Sequence, residues 1–296
     1  MKRALVLGGG GPVGIAWESG LLAGLTEAGI DPAKADFIVG TSAGSFVGAQ
    51  LALGRSATAM ATAIMAENPS APRPTSGGQS NAEPPDLTML FKKMQEAVSG
   101  VRPAKEVRAE IGAWALEAKT ISEETFIAGF GRAFNDLAED AWPEGNYACT
   151  AVDAHTGEFV VWNKEAGVGV KWAVASSCAV PGVFPPITIK GRRYVDGGMR
   201  SPTNADLAKG YDAVIAVSVT GASADPAMTD RFRKQLDKEL QVVRDGGARV
   251  ELIVPDQASI SAFGINLMDP RRRPGAAKAG LEQGRVLAAQ LRSIWS

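Results

Sequence analysis

Short apolar runs alternate with longer helical patterns along the first fifty residues. The aliphatic run at 3–7 ends at glycines, and an apolar helical pattern follows at 12–28, with Gly29 as its stop. A second short run at 36–39 leads directly into a helical pattern that begins at Ala43. This order of strand, helix, strand and helix predicts a parallel sheet that is covered on both faces.

Helical patterns predominate from about 55 to 143, and strand-like runs return afterwards. We predict further helices at 57–66, 87–98, 104–118, 122–136, 227–243 and 276–294. We predict further strands at 147–153, 158–162, 187–189, 193–195, 213–219 and 250–254. The segment 68–85 is rich in Pro, Ser, Gly and Asn, and is interpreted either as a surface loop or as a lid over an apolar site.

Charge and cysteine content narrow the class of protein. The 296 residues include 31 Lys and Arg and 32 Asp and Glu, so the net charge of −1 favours neither nucleic acid nor anionic membranes as general partners. Cys149 and Cys178 lie far apart in the sequence and are interpreted as free buried thiols. No apolar run is long enough for a signal peptide or a membrane span, which predicts a cytoplasmic protein of undetermined oligomeric state.

A G-x-S-x-G pentapeptide, Gly40 to Gly44, follows the second predicted strand. A serine on a sharp turn between a strand and a helix needs small neighbours, and Gly40 and Gly44 meet this need. The helix that begins at Ala43 directs its first amides toward the hydroxyl, where they stabilise developing negative charge. The pentapeptide therefore predicts that Ser42 is a nucleophile.

Residue types alone leave two candidates for the base that would accept the proton of Ser42. His155 is the single histidine, and it falls in a predicted hairpin turn, where a polar turn residue is the simpler interpretation. Asp196 follows a predicted strand and precedes Gly197 and Gly198, which allow a tight turn toward another loop. We favour Asp196, although an ordinary Asp-Gly turn gives the same pattern.

The first glycine motif also permits a dinucleotide-binding protein. Gly9, Gly11 and Gly14 after a strand satisfy the G-x-G-x-x-G pattern. Such a site requires an acidic residue at the end of the second strand to bind the ribose, whereas this strand runs into Gly40. The second strand therefore argues against a nucleotide-dependent oxidoreductase.

Three motifs in this order resemble those of the patatin-like phospholipase family: the run Gly9 to Gly14, the pentapeptide Gly40 to Gly44, and Asp196-Gly197-Gly198. The segment 175–186 also resembles the family's segment before its aspartate. The resemblance implies a three-layer α/β/α fold with a mainly parallel central sheet. On this basis we expect a single domain over 1–296, with a helical insertion or lid at 55–143.

The resemblance further implies a Ser42–Asp196 dyad that works without metal or cofactor. The amides of Gly9, Gly10 and Gly11 would form the oxyanion hole, together with that of Ala43. Two departures from the common family pattern are Val13, where a basic residue is usual, and the segment 201–204, which replaces the usual Asn-Pro after the aspartate. Neither departure removes a catalytic atom.

The expected function is hydrolysis of lipid carboxylic esters, of the phospholipase A or lysophospholipase type. A thioesterase or small-ester hydrolase with the same mechanism, and a lipid-binding protein without turnover, remain open. The apolar residues of the helical middle could line an acyl channel or form ordinary core: Leu90, Phe91, Met94, Val98, Trp114, Phe126 and Phe130. The run 271–273 is interpreted as a solvated loop or as a transient contact with a membrane surface.

Overall fold

The computed structural model describes residues 1–70 and 88–295, which form two compact units. Of the described residues, the first unit comprises 1–70, 143–148 and 202–295, and the second comprises 88–142 and 149–201. Most of the predicted lid at 68–85 falls within 71–87 and therefore lies outside the described residues. A single domain with a helical insertion stays a prediction.

Strands and helices are numbered in chain order. The strands are β1 (Arg3–Leu7), β2 (Phe37–Gly40), β3 (Tyr147–Asp153), β4 (Phe159–Trp162), β5 (Ile187–Ile189), β6 (Arg192–Asp196), β7 (Ala213–Val217) and β8 (Arg249–Ile253). The helices are α1 (Gly11–Glu27), α2 (Ala43–Ala52), α3 (Ala57–Met65), α4 (Thr88–Ser99), α5 (Ala104–Glu117), α6 (Glu123–Phe130), α7 (Val170–Ser177), α8 (Pro226–Asp245), α9 (Gln257–Phe263) and α10 (Arg273–Trp295). None of the helices in the described parts of the chain is long and apolar enough to cross a membrane.

The first unit is built on four parallel strands in the order β2-β1-β7-β8. All residues from Ala4 to Leu7 of β1 are completely buried. Because successive side chains of a strand point to opposite faces, both faces of this sheet are covered. The arrangement confirms the predicted three-layer α/β/α class.

The register of β1 and β2 places two sequence motifs at one edge of the sheet. Leu7 pairs with Gly40, so both strands end at the same level. Gly8 follows β1 directly, and Ser42 follows β2 by two residues. Ligand sites of parallel α/β sheets form at this carboxyl edge, so the topology brings the glycine run and the pentapeptide together.

Helices α1 and α10 pack closely through small residues. A Cβ added to Gly20 or Gly24 would overlap backbone of α10, and one added to Gly280 or Gly284 would overlap backbone of α1. The four glycines lie at i and i+4 on the two helices, so they form two facing stripes. This close contact anchors the helix that carries the glycine run.

In the second unit, β3 pairs in antiparallel fashion with β4 and β6, and β6 pairs with β5. The predicted hairpin turn that holds His155 is present, with Gly157 at positive φ, and β5 and β6 are joined by a second turn, with Gly191 at positive φ. A cluster of buried side chains from α4, α5, β3 and β6 forms the core of this unit. Asp196 lies at the carboxyl end of β6, as its position after a predicted strand indicated.

The predicted elements differ from the structure in three places. The predicted helix at 122–136 ends at Phe130, and a 3-10 turn over Gly131–Phe134 replaces its second half and buries Phe134. Glycine has a low helix propensity, which agrees with the end of α6 at Gly131. Helices α7 and α9 were not predicted because each is eight residues or shorter, although Asp256 caps α9 by accepting a hydrogen bond from the Ser259 amide at 2.8 Å.

Candidate active site

Ser42 occupies a strained turn between β2 and α2. Its backbone has φ 52° and ψ −117°, and its side chain is 8% exposed. A non-glycine residue in such a conformation costs on the order of 1–3 kcal/mol, and such strain is concentrated at functional sites. A Cβ at Gly40 would overlap Gly44, and one at Gly44 would overlap Leu7, so the turn requires glycine at both positions.

The glycine run lies directly against this turn. A Cβ added to Gly9 would lie 3.3 Å from the Cβ of Ser42, and one added to Gly14 would lie 3.3 Å from the Cβ of Ala43. A side chain at Gly9 would therefore crowd the side chain of Ser42. The first unit therefore brings two of the three motifs into contact.

Several backbone amides around Ser42 already donate hydrogen bonds to carbonyl oxygens. The Gly9 amide donates to the Pro202 carbonyl oxygen at 2.7 Å, and the Gly44 amide donates to the carbonyl oxygens of Gly8 and Thr41 at 3.0 Å. These contacts do not use three of the four amides that sequence reasoning assigned to an oxyanion hole: Gly10, Gly11 and Ala43. The fourth, that of Gly9, instead holds the glycine run against the segment after Ser201.

The segment 202–204 supports both motifs. Besides the Pro202 carbonyl that accepts from Gly9, the Asn204 side-chain amide donates to the Thr41 hydroxyl oxygen at 3.0 Å, and both side chains are completely buried. Asn204 has a left-handed backbone, which asparagine tolerates better than most residues. Sequence reasoning identified this segment only as a departure from the family pattern, because its partners are more than 150 residues away.

Asp196 is a buried carboxylate in the second unit. Its side chain is 2% exposed, and one carboxylate oxygen accepts a hydrogen bond from the Gly198 amide at 2.7 Å. Its own amide donates to the Ala179 carbonyl oxygen at 3.0 Å. A Cβ at Gly197 would overlap Thr150, so the turn after the aspartate requires a glycine there. The local geometry holds the Asp196 side chain in a defined position at the end of β6.

His155 lies in the hairpin turn between β3 and β4, and its side chain is exposed. Its amide donates to the Asp153 carboxylate at 3.0 Å, and Thr156 donates to the same oxygen. The carboxylate of Asp153 thus closes the turn, and the interpretation of His155 as a turn residue agrees with its position.

Part of the apolar set from the helical middle belongs to the core of the second unit. Leu90 is buried in the cluster around Val152 and Val195, and Met94 and Trp114 pack against it. Phe126 lies against both Phe130 and Phe184, with ring centroids 5.3 and 4.7 Å apart. The side chains of Phe91 and Val98 lie outside the described residues. An acyl channel lined by these residues stays a prediction.

Two arginines of the run 271–273 are paired with carboxylates. Arg271 binds Asp269 with N–O distances of 2.8 and 2.9 Å, and Arg273 binds both carboxylate oxygens of Glu67 at about 3 Å. The pairs neutralise part of the local positive charge. The predicted contact with a membrane surface stays a prediction.

Two fungal lysophospholipases are similar in sequence to this chain. The chain is 28% identical over 231 residues to lysophospholipase nte1 of Aspergillus niger, and 27% identical over 219 residues to lysophospholipase NTE1 of Eremothecium gossypii. The alignments cover 75% and 73% of this chain, which spans only 12% of the length of each relative.

A solved structure similar to this chain is that of VipD from Legionella pneumophila. The alignment has 16% identity and a TM-score of 0.48, and it covers 98% of this chain and 67% of that one.

The family described as patatin-like phospholipase matches residues 5–209, which contain the glycine run, the pentapeptide and the Asp-Gly-Gly motif. This match confirms the resemblance and the expectation of a lipid ester hydrolase at the level of the family. The chain belongs to the patatin-like phospholipase family.

Proposed function

We propose that this chain is a serine acyl hydrolase that cleaves carboxylic ester bonds of phospholipids or lysophospholipids through Ser42 and Asp196. The observation that carries the proposal is the strained backbone of Ser42, which lies against Gly9 at the carboxyl edge of a parallel sheet. Strain at a residue whose neighbours must be glycine is difficult to explain by stability alone. Membership of the patatin-like phospholipase family supports the same assignment.

In the proposed reaction, the Ser42 Oγ attacks the ester carbonyl carbon while the Asp196 carboxylate accepts the hydroxyl proton. The tetrahedral intermediate then collapses, the carbon–oxygen bond to the alcohol breaks, and Asp196 returns the proton to the leaving alkoxide. A water molecule then attacks the acyl carbon while Asp196 accepts its proton, the bond to the Ser42 Oγ breaks, and Asp196 returns the proton to that oxygen as the fatty acid is released. The dyad requires no metal or cofactor for these steps.

Negative charge on the substrate oxygen would be stabilised by the backbone. The amides of Gly10, Gly11 and Ala43 are the proposed donors, because the Gly9 amide is hydrogen-bonded to Pro202. Ala43 and Gly11 are the first residues of α2 and α1, so their amides have no acceptor within the helix and lie at its positive end. One such donor typically contributes about 3 kcal/mol to transition-state stabilisation.

The relatives from the two fungi are named lysophospholipases, which supports a lipid acyl ester as the substrate. A buried serine and a buried aspartate also fit a reaction that excludes bulk water from the acyl-enzyme.

Two substitutions test the mechanism. Ser42→Ala should abolish hydrolysis of lysophosphatidylcholine and labelling by a fluorophosphonate, whereas Ser261→Ala, at an exposed serine of α9, should leave both unchanged. Asp196→Asn keeps an oxygen that accepts from the Gly198 amide, so it should fold normally and lower kcat by roughly 10²- to 10⁴-fold. Asp237→Asn, at an exposed residue paired with Arg233, is the matched control.

A substrate panel separates this proposal from its alternatives. Lysophosphatidylcholine, phosphatidylcholine, a short p-nitrophenyl ester and a long acyl thioester should be compared for the wild-type protein and Ser42→Ala. Hydrolysis confined to the thioester or the short ester would replace the lipid substrate by one of these classes. Fatty-acid binding without turnover of any member would contradict the enzymatic proposal.

A further inference from the structure

Glu18 is a buried acid that the proposed mechanism does not use. It lies in the middle of α1 with a side chain that is 0% exposed. Neither of its carboxylate oxygens has a hydrogen-bond partner within the described parts of the chain. A charged carboxylate in such surroundings costs several kcal/mol, so the group requires an explanation.

The position of Glu18 on α1 directs it toward the glycine run. Gly14 lies four residues before it and therefore occupies the same face of the helix, and that face meets Ala43 and Val219. Helical side chains lean toward the N-terminus of their helix, which aims the carboxyl group back toward Gly8. Burial raises the pKa of Glu18 well above its ordinary value, and the nearby backbone amide of Gly8 opposes this only in part.

Among the residues that the structure describes, the elements packed against α1 offer no counterion to Glu18. Helices α2 and α3, strand β7 and the turn Val219–Gly221 contain no ionisable side chain. On β1 the single ionisable residue is Arg3, which donates to the Trp295 carbonyl oxygen. On α10, Arg273 binds Glu67, and Arg285 binds Glu27 and Glu282. Lys278 and Arg292, the other cations of α10, have exposed side chains, and so do Lys34 of the turn Pro32–Lys34 and Arg271 and Arg272 of the turn Pro270–Arg272, both of which contact α1.

Gly8 connects the parts of the site that Glu18 would hold. Its amide donates to the Val217 carbonyl oxygen at 3.0 Å, and its carbonyl oxygen accepts from the Gly44 amide at 3.0 Å. The residue thus joins the end of β1 to β7 and to the first turn of α2. A group that holds Gly8 in place therefore also limits the positions of Gly10 and Gly11 in the same loop.

We propose that Glu18 is a positioning residue, held as a neutral carboxylic acid beneath the Gly8–Gly11 loop, where it orients the amides of Gly10 and Gly11 toward the oxyanion. This proposal rests on the proposed function. The neutral acid places no negative charge beneath the site at which negative charge develops during the reaction. Ionisation would introduce that charge and weaken the stabilisation of the oxyanion.

Three measurements on wild type, Glu18→Gln and Glu18→Leu test this proposal. The infrared difference spectrum between wild type and Glu18→Gln at pH 7 should contain the carbonyl stretch of a protonated carboxylic acid. Hydrogen exchange of the segment 8–14 should be faster in Glu18→Leu than in Glu18→Gln, because glutamine keeps a polar group near Gly8 and leucine does not. Neither of these readouts depends on catalysis.

With lysophosphatidylcholine as substrate, Glu18→Leu should lower kcat by about 10- to 100-fold with little change in KM, and Glu18→Gln should restore most of this loss. The wild type should lose kcat as the pH rises toward the raised pKa of Glu18, whereas Glu18→Gln should not. If Glu18→Leu does not fold, the infrared signal and this difference in pH profile decide the question.

A carboxylate signal at pH 7, or equal exchange and equal kcat in the two variants, would overturn the proposal. Failure of the proposed function has a different signature. In that case the wild type would be as inactive as Ser42→Ala, while the infrared and exchange measurements would still report on Glu18.

Discussion

The side-chain amide of Asn204 donates a hydrogen bond to the hydroxyl oxygen of Thr41 at 3.0 Å, with both residues completely buried. Thr41 immediately precedes the candidate nucleophile, and Asn204 lies 163 residues further along the chain. Two residues before Asn204, the Pro202 carbonyl oxygen accepts from the Gly9 amide. One short segment thus ties the glycine run to the serine turn.

Two substitutions of Asn204 separate the stability that its side-chain hydrogen bond contributes from the cost of its left-handed backbone. Asn204→Ala loses the hydrogen bond and places alanine at φ 50°, so we expect the free energy of unfolding to fall by about 2–3 kcal/mol. Asn204→Gly loses the same hydrogen bond without the steric cost, so its loss should be smaller by about 1 kcal/mol. Urea denaturation measures both values. Equal stability of the two variants would show that the left-handed backbone carries no cost here.

Glycine at position 44 is required by sterics. A Cβ in Gly44→Ala would overlap the Leu7 carbonyl of β1, so the variant should lose at least about 2 kcal/mol of stability and most of its activity. Gly275→Ala is the matched control, since it lies in the first turn of α10 with open space around its Cβ position. It should raise the thermal midpoint slightly, because alanine is the better helix former by up to about 1 kcal/mol. A Gly44→Ala protein as stable as the control would contradict the close approach of α2 to β1.

The facing glycines of α1 and α10 should also fail to accommodate a larger side chain. In Gly24→Ala the added methyl group overlaps the Leu281 carbonyl, and separating the helices should cost about 1–3 kcal/mol. Lys278→Ala changes an exposed residue of α10 and should alter stability by less than about 0.5 kcal/mol. Thermal and urea unfolding of both variants give the comparison. A smaller effect at Gly24 than at Lys278 would be evidence against this helix contact.

Acid should weaken the ion-pair cluster between α4 and α5. Hydrogen bonds from Arg102, at 2.5 Å, and from Lys93 lower the pKa of Glu110 from 4.5 to about 2. Since the folded-state pKa lies below the unfolded one, the cluster contributes stability above pH 4.5 and loses it as the pH falls from 4.5 to about 2. Wild type should therefore lose more stability over this range than Glu110→Gln.

Urea midpoints of the two proteins at the ends of this range measure the difference. Because Glu110 is at the surface, the difference should be small and should shrink at high salt. A difference that salt leaves unchanged would contradict an exposed ion pair.

Local patterns were sufficient to predict most of the elements and the glycine requirements of the serine turn. The aliphatic run of β1 and the glycines after it determine a buried strand and a turn, because these effects act within a few residues. The helix predicted at 122–136 was wrong in its second half, because α6 ends before Gly131, a poor helix former, and a 3-10 turn that buries Phe134 follows. The short helices α7 and α9 were missed, since a segment of two turns has little periodicity.

The sequence by itself determined the class of fold, the family and the candidate pair Ser42 and Asp196, because each rests on residue types at short, fixed spacing. Only the tertiary structure decided which amides around Ser42 are already bonded, that Asn204 supports Thr41, and that Glu18 is buried without a hydrogen-bond partner among the described residues. These relationships join residues that are distant along the chain or depend on what covers a helix face. Packing determines such contacts, and no local pattern encodes packing.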